Sequence, residues 1–482
     1  MPDHLVIAMP YDKASFLAGI AAGRNMRSWP IREHTEAGVF QFTVWIDQTN
    51  TTMNYRFRAH MDGKINWGDG NEEDAVTDGP TAACWHTYES EGLYQITVSG
   101  KIYSVTPGYT STEIDSSSVW FKSAKALISV DTSLPPVPQD AGRPFYISLY
   151  RMFRCCENLR VLPLGLLRNR AQDGVYFHSL GAMFHRCKML EAVPADLLQG
   201  LHFDTDGSST AHSASAMFEE CRALSILPEG VFDNEELSFF TNAMGIFREC
   251  RSLANIPEGL FDHFTQVTNF ASAFYNCRAL ESLPDGLFSH CAAAADFSSC
   301  FLYATSLSEI GNGIFGGCTA AENFQSCFQN TALTTVPHRL FADCVNATRF
   351  SSCFNGCATL ASVPGDIFEN CTKAVYLNQA FYKTALTSIP DGLFDDCTAA
   401  VYFTMAFYNC TNLTYVPSGL FQYSTAALYF SACFASENWA GMQITSAVPE
   451  LWVTHPDAVT KNNCYYGCQS AANYSSIPSD WR

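Results

Sequence analysis

Two hydrophobic rhythms divide the chain. Between residues 37 and 126, stretches such as VFQFTVWI and YQITVSGKIYSV alternate apolar and polar positions, with Gly, Asn and Asp clusters between them. A period of two, rich in β-branched and aromatic residues, predicts strands with one buried face. From about residue 150 the rhythm lengthens. The unit becomes Phe, a short gap, Cys or Thr, Leu, two variable residues, an aliphatic, Pro, two residues, then Leu-Phe. TALTTVPHRLFADCVNA at 331–347 and TALTSIPDGLFDDCTAA at 384–400 show it most plainly.

Prolines mark the beat: Pro163, Pro194, Pro228, Pro257, Pro284, then Gly311 in that place, then Pro337, Pro364, Pro390, Pro417, Pro449 and Pro478. From Pro257 to Pro417 the steps are 26 or 27 residues, and they widen toward both ends. Self-similarity at this period predicts a solenoid over 127–482, of about twelve coils with short strands and short helical turns. In CATLASVPGDIFENC, Leu360 and Val363 form the short strand, and Ile367 and Phe368 close the far side. Phe354 supplies a ring to the seam. One coil alone cannot cover these residues. Stacked coils bury each against its counterpart, at roughly 1.5–3 kcal/mol per side chain. Proline suits the strand end, because it terminates pairing and fixes the turn.

Residues 13–27 carry a weaker, helical period. Phe16 and Ile20 are four apart, as are Leu17 and Ala21, while Gly19 and Gly23 weaken the segment. Residues 1–36 therefore read either as a loosely held terminus or as an arm that docks on a partner through Phe16, Leu17 and Ile20. Residues 131–143 are rich in Pro and turn formers, a linker or an irregular first coil. ALISVDTSLP, just before, already echoes the repeat.

Composition narrows the partners. With 28 Lys plus Arg against 47 Asp plus Glu, the net charge is −19, which repels nucleic acid and anionic lipid. No run approaches the roughly 18 apolar residues that span a bilayer. The N-terminus lacks the basic start and unbroken apolar core of a secretory signal, since Pro10, Asp12 and Lys13 interrupt it. All but one of the 20 cysteines lie after residue 150, at repeat positions. The simplest reading is small buried apolar residues, and a disulfide set is the alternative.

Catalytic patterns are wanting. There is no Gly-x-Ser-x-Gly elbow, His-Glu-x-x-His, phosphate loop or dinucleotide fingerprint. Acidic pairs such as Glu219-Glu220 and Asp395-Asp396 are adjacent, so they need not face each other across a cleft. Asp69, Asn71, Glu73 and Asp74 imitate the start of a calcium loop. But Asp74 stands where glycine is required, and Pro80 where the closing acid belongs. No cofactor, metal or catalytic residue is therefore expected. What remains is surface. The two residues between Leu and the aliphatic point outward in each coil, among them Glu281, Ser282, Thr334 and Thr335. Ser362, Thr387, Ser388, Thr414 and Tyr415 continue the row. They are either a ligand face or merely what a solvated ladder tolerates.

Two resemblances add to this. Trp67-Gly68-Asp69-Gly70, then His86-Thr87-Tyr88, then Gly92 and Tyr94 before an alternating strand, resemble a PKD domain, an immunoglobulin-like module of surface proteins. That likeness implies a β-sandwich spacer over 37–126. AFYNCTNLTYVPSGLF and AFYNCRALESLPDGLF resemble the BspA-like leucine-rich repeats of bacterial and phage surface proteins, and the ending CYYGCQSAANYSSIPSDWR resembles their last unit. Departures are Gly311 for Pro, Ala304 for the coil Cys, and inserts near 170–180, 201–213 and 435–446.

The combination implies a multidomain, non-enzymatic adhesion or receptor-binding protein of a phage or prophage virion. The arm would dock on virion structural proteins, and the solenoid would meet a host protein or glycan. A bacterial cell-surface adhesin is the first alternative, and a carbohydrate-active enzyme with an accessory module the second. A homo-oligomer is left open.

Overall fold

The computed structural model describes residues 39–47, 53–77, 82–106, 124–134, 145–168, 175–203, 212–437 and 441–482. The docking-arm candidates Phe16, Leu17 and Ile20 lie outside these residues. The described chain is mostly extended and turn structure, with little helix.

Six strands open it: β1 (Val39–Ile46), β2 (Asn54–Asn66), β3 (Glu72–Val76), β4 (Ala83–Thr87), β5 (Gly92–Thr106) and β6 (Leu127–Val130). All pair antiparallel, in the order β3-β2-β5-β1-β6, with β4 beside the first half of β2. Hydrogen bonding thus runs through one continuous sheet rather than two separate ones. The sheet wraps onto itself. Phe42 of β1 meets Tyr55 and Phe57 of β2 at ring-centroid distances of 6.1 and 5.4 Å, although β1 and β2 are not neighbours in the sheet. The long strands β2 and β5 make this possible. They cross at Gly63 opposite Gly100, where a Cβ on Gly63 would lie 1.9 Å from the Ser99 carbonyl oxygen. Only glycine permits that approach.

The Trp67–Tyr94 motif plugs one end of this core. Trp67 is fully buried and stacks on His86 at 5.1 Å. His86 Nε2 lies 2.7 Å from Asp69 Oδ2, and Tyr88 donates its hydroxyl to the Trp67 carbonyl at 3.0 Å. Asp69 also accepts from the Asn71 backbone N–H and side-chain amide, so its carboxylate is engaged within the turn.

Strand β6 belongs to two structures at once. One edge pairs antiparallel with β1, and the other forms a parallel bridge from Ser129 to Val161. A boundary between residues 126 and 127 falls at the start of this strand, which both structures share. From there the chain winds in stacked coils. A parallel three-stranded sheet, β7 (Phe145–Ile147), β8 (Val175–Phe177) and β9 (His202–Phe203), starts one ladder. Single-residue parallel bridges then run from Ser213 through Asn242, Asn269, Asp296, Asn323, Arg349, Tyr376, Tyr402 and Tyr429 to Thr460.

Inside, rings stack coil on coil. Phe274, Phe301, Phe328, Phe354 and Phe381 lie 5.3–5.6 Å apart with planes nearly parallel. A second column, Phe288, Phe315, Phe341 and Phe368, sits against the first. Each offset-stacked pair adds about 0.5–1.5 kcal/mol beyond area burial.

Short helical turns occur at Glu235–Phe239 and Tyr474–Ser476, both of the 3-10 kind, but the segment between the two ladders is a different structure. Between the two ladders each coil makes successive β-turns, as in Cys353 N–H to Phe350 O and Cys357 N–H to Phe354 O. The third residue of each turn has positive φ: Ser352 at 58° and Gly356 at 74°, Gln379 at 54° and Lys383 at 57°, Met405 at 57° and Asn409 at 59°. Alternate N–H groups are thereby turned toward the next coil. Phe350, Ser352, Phe354 and Gly356 donate to Tyr376, Asn378, Ala380 and Tyr382 at 2.7–2.9 Å. Helix would have kept those donors within the coil. The described chain does contain a short α1 (Leu451–Thr454), near the last coil.

Gly311 explains its own departure from the repeat. A Cβ there would lie 2.4 Å from the Pro284 carbonyl carbon in the coil before. Its N–H donates to Leu283 O at 3.0 Å, a bond proline lacks. That bond extends the ladder into a two-residue parallel pair, β10 (Ser282–Leu283) with β11 (Glu309–Ile310). Gly311→Ala is expected to cost about 1–3 kcal/mol by overpacking, read as a lower urea midpoint. An unchanged midpoint would show that the two coils can spread.

Candidate binding faces of the solenoid

The outward row read from the sequence lies on one ladder. Glu281, Thr334, Thr335, Ser362, Thr387, Ser388, Thr414 and Tyr415 are exposed, and Ser282 is half-buried within β10. Rung-to-rung backbone bonds support them, with Thr387 N–H to Ala361 O at 3.1 Å and Thr414 N–H to Thr387 O at 2.9 Å. The threonine hydroxyls are partly engaged. Thr414 Oγ1 donates to Thr387 O at 3.0 Å, and Thr387 Oγ1 to Ala361 O at 3.5 Å. Tyr415 stands out from this row with 46% exposure.

The longer ladder, Ser213 to Thr460, has no counterpart in the sequence reading. Its backbone bridges are continuous, but its residue types change along the column, so periodicity of type does not reveal it. The available signal is position: from Ser213 to Tyr429 each of its members precedes a buried residue that opens the turn segment, as Asn269 precedes Phe270 and Tyr402 precedes Phe403.

Behind both faces lie the cysteines. All twenty are unpaired and buried. Most coil thiols reach back to the previous coil: Cys250 Sγ to Phe218 O at 3.1 Å, Cys277 to Phe247 at 3.1 Å, Cys357 to Phe328 at 3.1 Å and Cys410 to Phe381 at 3.0 Å. Where the repeat has Thr331 or Thr384, the hydroxyl turns to its own coil's Phe carbonyl and meets the next thiol at 3.2 Å. Burial pushes these thiols up, Cys357 and Cys410 to about 11 and Cys318 and Cys371 to about 12.

The first coils hold a charged column. Arg154 Nε lies 3.1 Å from His185 Nδ1, and Arg248 Nη1 donates to Glu219 Oε1 at 3.0 Å. Burial, then the neighbouring Arg154 and Arg186, push His185 down to about 3, which leaves the imidazole neutral and able to accept from Arg154. Glu219 is raised by burial in spite of Arg248. Glu157 answers three cations, Lys125, Arg186 and Lys188, at 3.0, 3.3 and 2.8 Å. These groups join successive coils near β6.

No protein-family model matches the chain, and no curated protein matches it in sequence. Solved structures do resemble it. A leucine rich cell surface protein from Faecalibacterium prausnitzii shares 15% identity, over 72% of this chain and 82% of that one, with a TM-score of 0.29. The Drosophila Toll–Spatzle complex matches at 15% identity and a TM-score of 0.34, over 62% of this chain. The match spans 41% of the Toll–Spatzle chain. An internalin from Listeria monocytogenes matches at 11% identity over 65% of this chain and 84% of that one, with a TM-score of 0.21. Likeness at this level does not bear on partners or chemistry. The coil architecture stands on the bridges and ring columns of the chain itself.

Proposed function

We propose that the chain is a non-enzymatic leucine-rich repeat protein that binds at a surface, with its solenoid as the binding array. The carrying observation is the pair of ladders. Their rungs are held by backbone bonds and buried rings, neither of which depends on the outward residue. Side chains on those faces can therefore vary to suit a partner while the wall behind them stays fixed. The outward row from Glu281 to Tyr415 is one such face.

In its finer form the reading is a phage or prophage virion protein, with the sheet domain as spacer and the solenoid toward a host protein or glycan. The resemblances to PKD and BspA-like modules support it. So do twenty unpaired, buried thiols, which fit folding in a reducing compartment such as the one where virions assemble. Immunogold electron microscopy of purified particles tests it. Label on the particles is expected. Label confined to the surface of bacterial cells would replace the virion with the cell-surface adhesin. Glycan turnover abolished by an acidic substitution in the solenoid would replace both with the enzyme.

A further inference from the structure

On the long ladder the bridge residue first has a local task. Ser213, Asn242, Asn269, Asp296 and Asn323 each accept, through a side-chain oxygen, from the backbone N–H two residues on, at 2.8–3.1 Å. This closes the turn that opens each coil. From residue 349 the task is abandoned. The next rungs carry Arg349, Tyr376, Tyr402 and Tyr429. An arginine has no acceptor, and a phenol oxygen is too far from its own backbone to serve. The substitution brings nothing to the turn, so its gain lies on the outside.

There the side chains form one stack. Tyr376 and Tyr402 lie 5.0 Å apart at 9°, and Tyr402 and Tyr429 4.5 Å apart at 14°. The Arg349 guanidinium sits 5.3 Å from the Tyr376 ring centroid. Arg349 is exposed and the three rings are half-buried. Stacking hides the ring faces against one another and leaves ring edges and hydroxyls outward. No described residue hydrogen-bonds those three hydroxyls. Lys373, one coil up from Arg349, donates to Asn346 Oδ1 at 2.6 Å. Neither Arg349 nor Lys373 meets a carboxylate among the described residues, in a chain of net charge −19.

We propose that this ladder seats a carboxylate-bearing polysaccharide laid along the solenoid. Arg349 and Lys373 take its carboxylates, and the tyrosine hydroxyls take its ring hydroxyls. Local charge at Arg349, set against the chain's net −19, selects the acid: its guanidinium, placed over the Tyr376 ring, offers a planar fork for bidentate carboxylate binding. Regularity selects the polymer. Three successive rungs that offer the same group, Tyr376, Tyr402 and Tyr429, fit a ligand that repeats along its length, whereas a folded protein surface has no such repeat. The inference rests on the surface-binding reading only for its setting.

The test is affinity electrophoresis of the full chain in gels containing polygalacturonate, dextran or poly-glutamate. Polygalacturonate is expected to retard the wild type, and dextran and poly-glutamate are not. Tyr402→Asn restores the residue type of Asn242 and Asn269 and so preserves the coil, which an unchanged thermal melt confirms. That variant and Arg349→Asn are each expected to weaken retention about tenfold or more, as central aromatic and arginine contacts do. Arg349→Lys falls between, because it keeps charge without the fork. Retention unchanged in Tyr402→Asn, no retardation by polygalacturonate, or equal retardation by poly-glutamate or dextran each overturns the proposal. Should wild type and Tyr402→Asn adhere equally to host cells, this inference falls and the surface reading stands. Should polygalacturonate bind through Tyr402 while no particle or cell carries the chain, the surface reading falls and this inference stands.

Discussion

Raising the pH above about 9 is expected to unfold the chain in a steep transition. In the unfolded chain a thiol ionises near its ordinary value of 9.0, whereas folding holds Cys357 and Cys410 protonated to about 11 and Cys318 and Cys371 to about 12. The protonated form is the one the fold accommodates. Its contribution is complete below about pH 9 and is lost as the pH climbs toward the folded values. Each proton shed only by the unfolded chain costs about 1.4 kcal/mol per pH unit. These four thiols together remove about 5 kcal/mol per unit well above pH 9, a large share of the whole stability of many domains. Far-ultraviolet circular dichroism and thiolate absorbance, followed together in reducing buffer, should change at one pH. Thiolates arising near pH 9 with the dichroism intact would mean that solvent reaches the thiol columns. Alanine already occupies thiol positions at Ala304, Ala380 and Ala406. Replacing Cys300, Cys327 and Cys353 by alanine should therefore move the transition upward without disturbing the stack.

The second large effect is expected at Phe328. Its ring is fully buried between Phe301 at 5.3 Å and Phe354 at 5.6 Å, and a third ring, Phe315, closes on it at 6.2 Å. Phe328→Ala removes both stacks and opens a cavity, at about 3–5 kcal/mol. The position matters as much as the size. Coils contact only their neighbours, so a mid-array defect weakens the coupling between the two halves. Urea unfolding should turn from one transition into two, seen as a plateau by tryptophan fluorescence and dichroism. A single transition, displaced by less than about 1 kcal/mol, would show that neighbouring rings close the gap.

The buried skeleton was legible because each coil spends the same residue types on the same task. Leu360, Val363, Ile367 and Phe368 recur in kind, and all four are buried. The long ladder was not legible, because backbone pairing accepts any side chain: Asn323, Arg349 and Tyr376 make the same bridge. The positive-φ turns between the ladders were not legible for a related reason. Positive φ is announced by Gly or Asn, as at Gly356 and Asn409, but Ser352, Gln379, Met405 and Lys383 carry it silently. Packing by the adjacent coils imposes that conformation, and no local signal reports it. The outward row from Glu281 to Tyr415 followed from its place in the repeat, since the pair between the buried Leu and aliphatic positions is left outside the core, as Thr387 and Ser388 are between Leu386 and Ile389. The Arg349–Tyr429 stack required knowing which residues lie one rung apart.

Strand β6 has a mechanical corollary. It is stitched to β1 by Asp131 N–H to Gln41 O at 2.9 Å, and to the first coil by Val130 N–H to Val161 O at 3.1 Å and Arg160 N–H to Ile128 O at 2.9 Å. Tension applied along β6 loads those bonds side by side in shear, instead of peeling them one after another. A swivel has no place at such a seam, so a tug on one module is felt at once by the other.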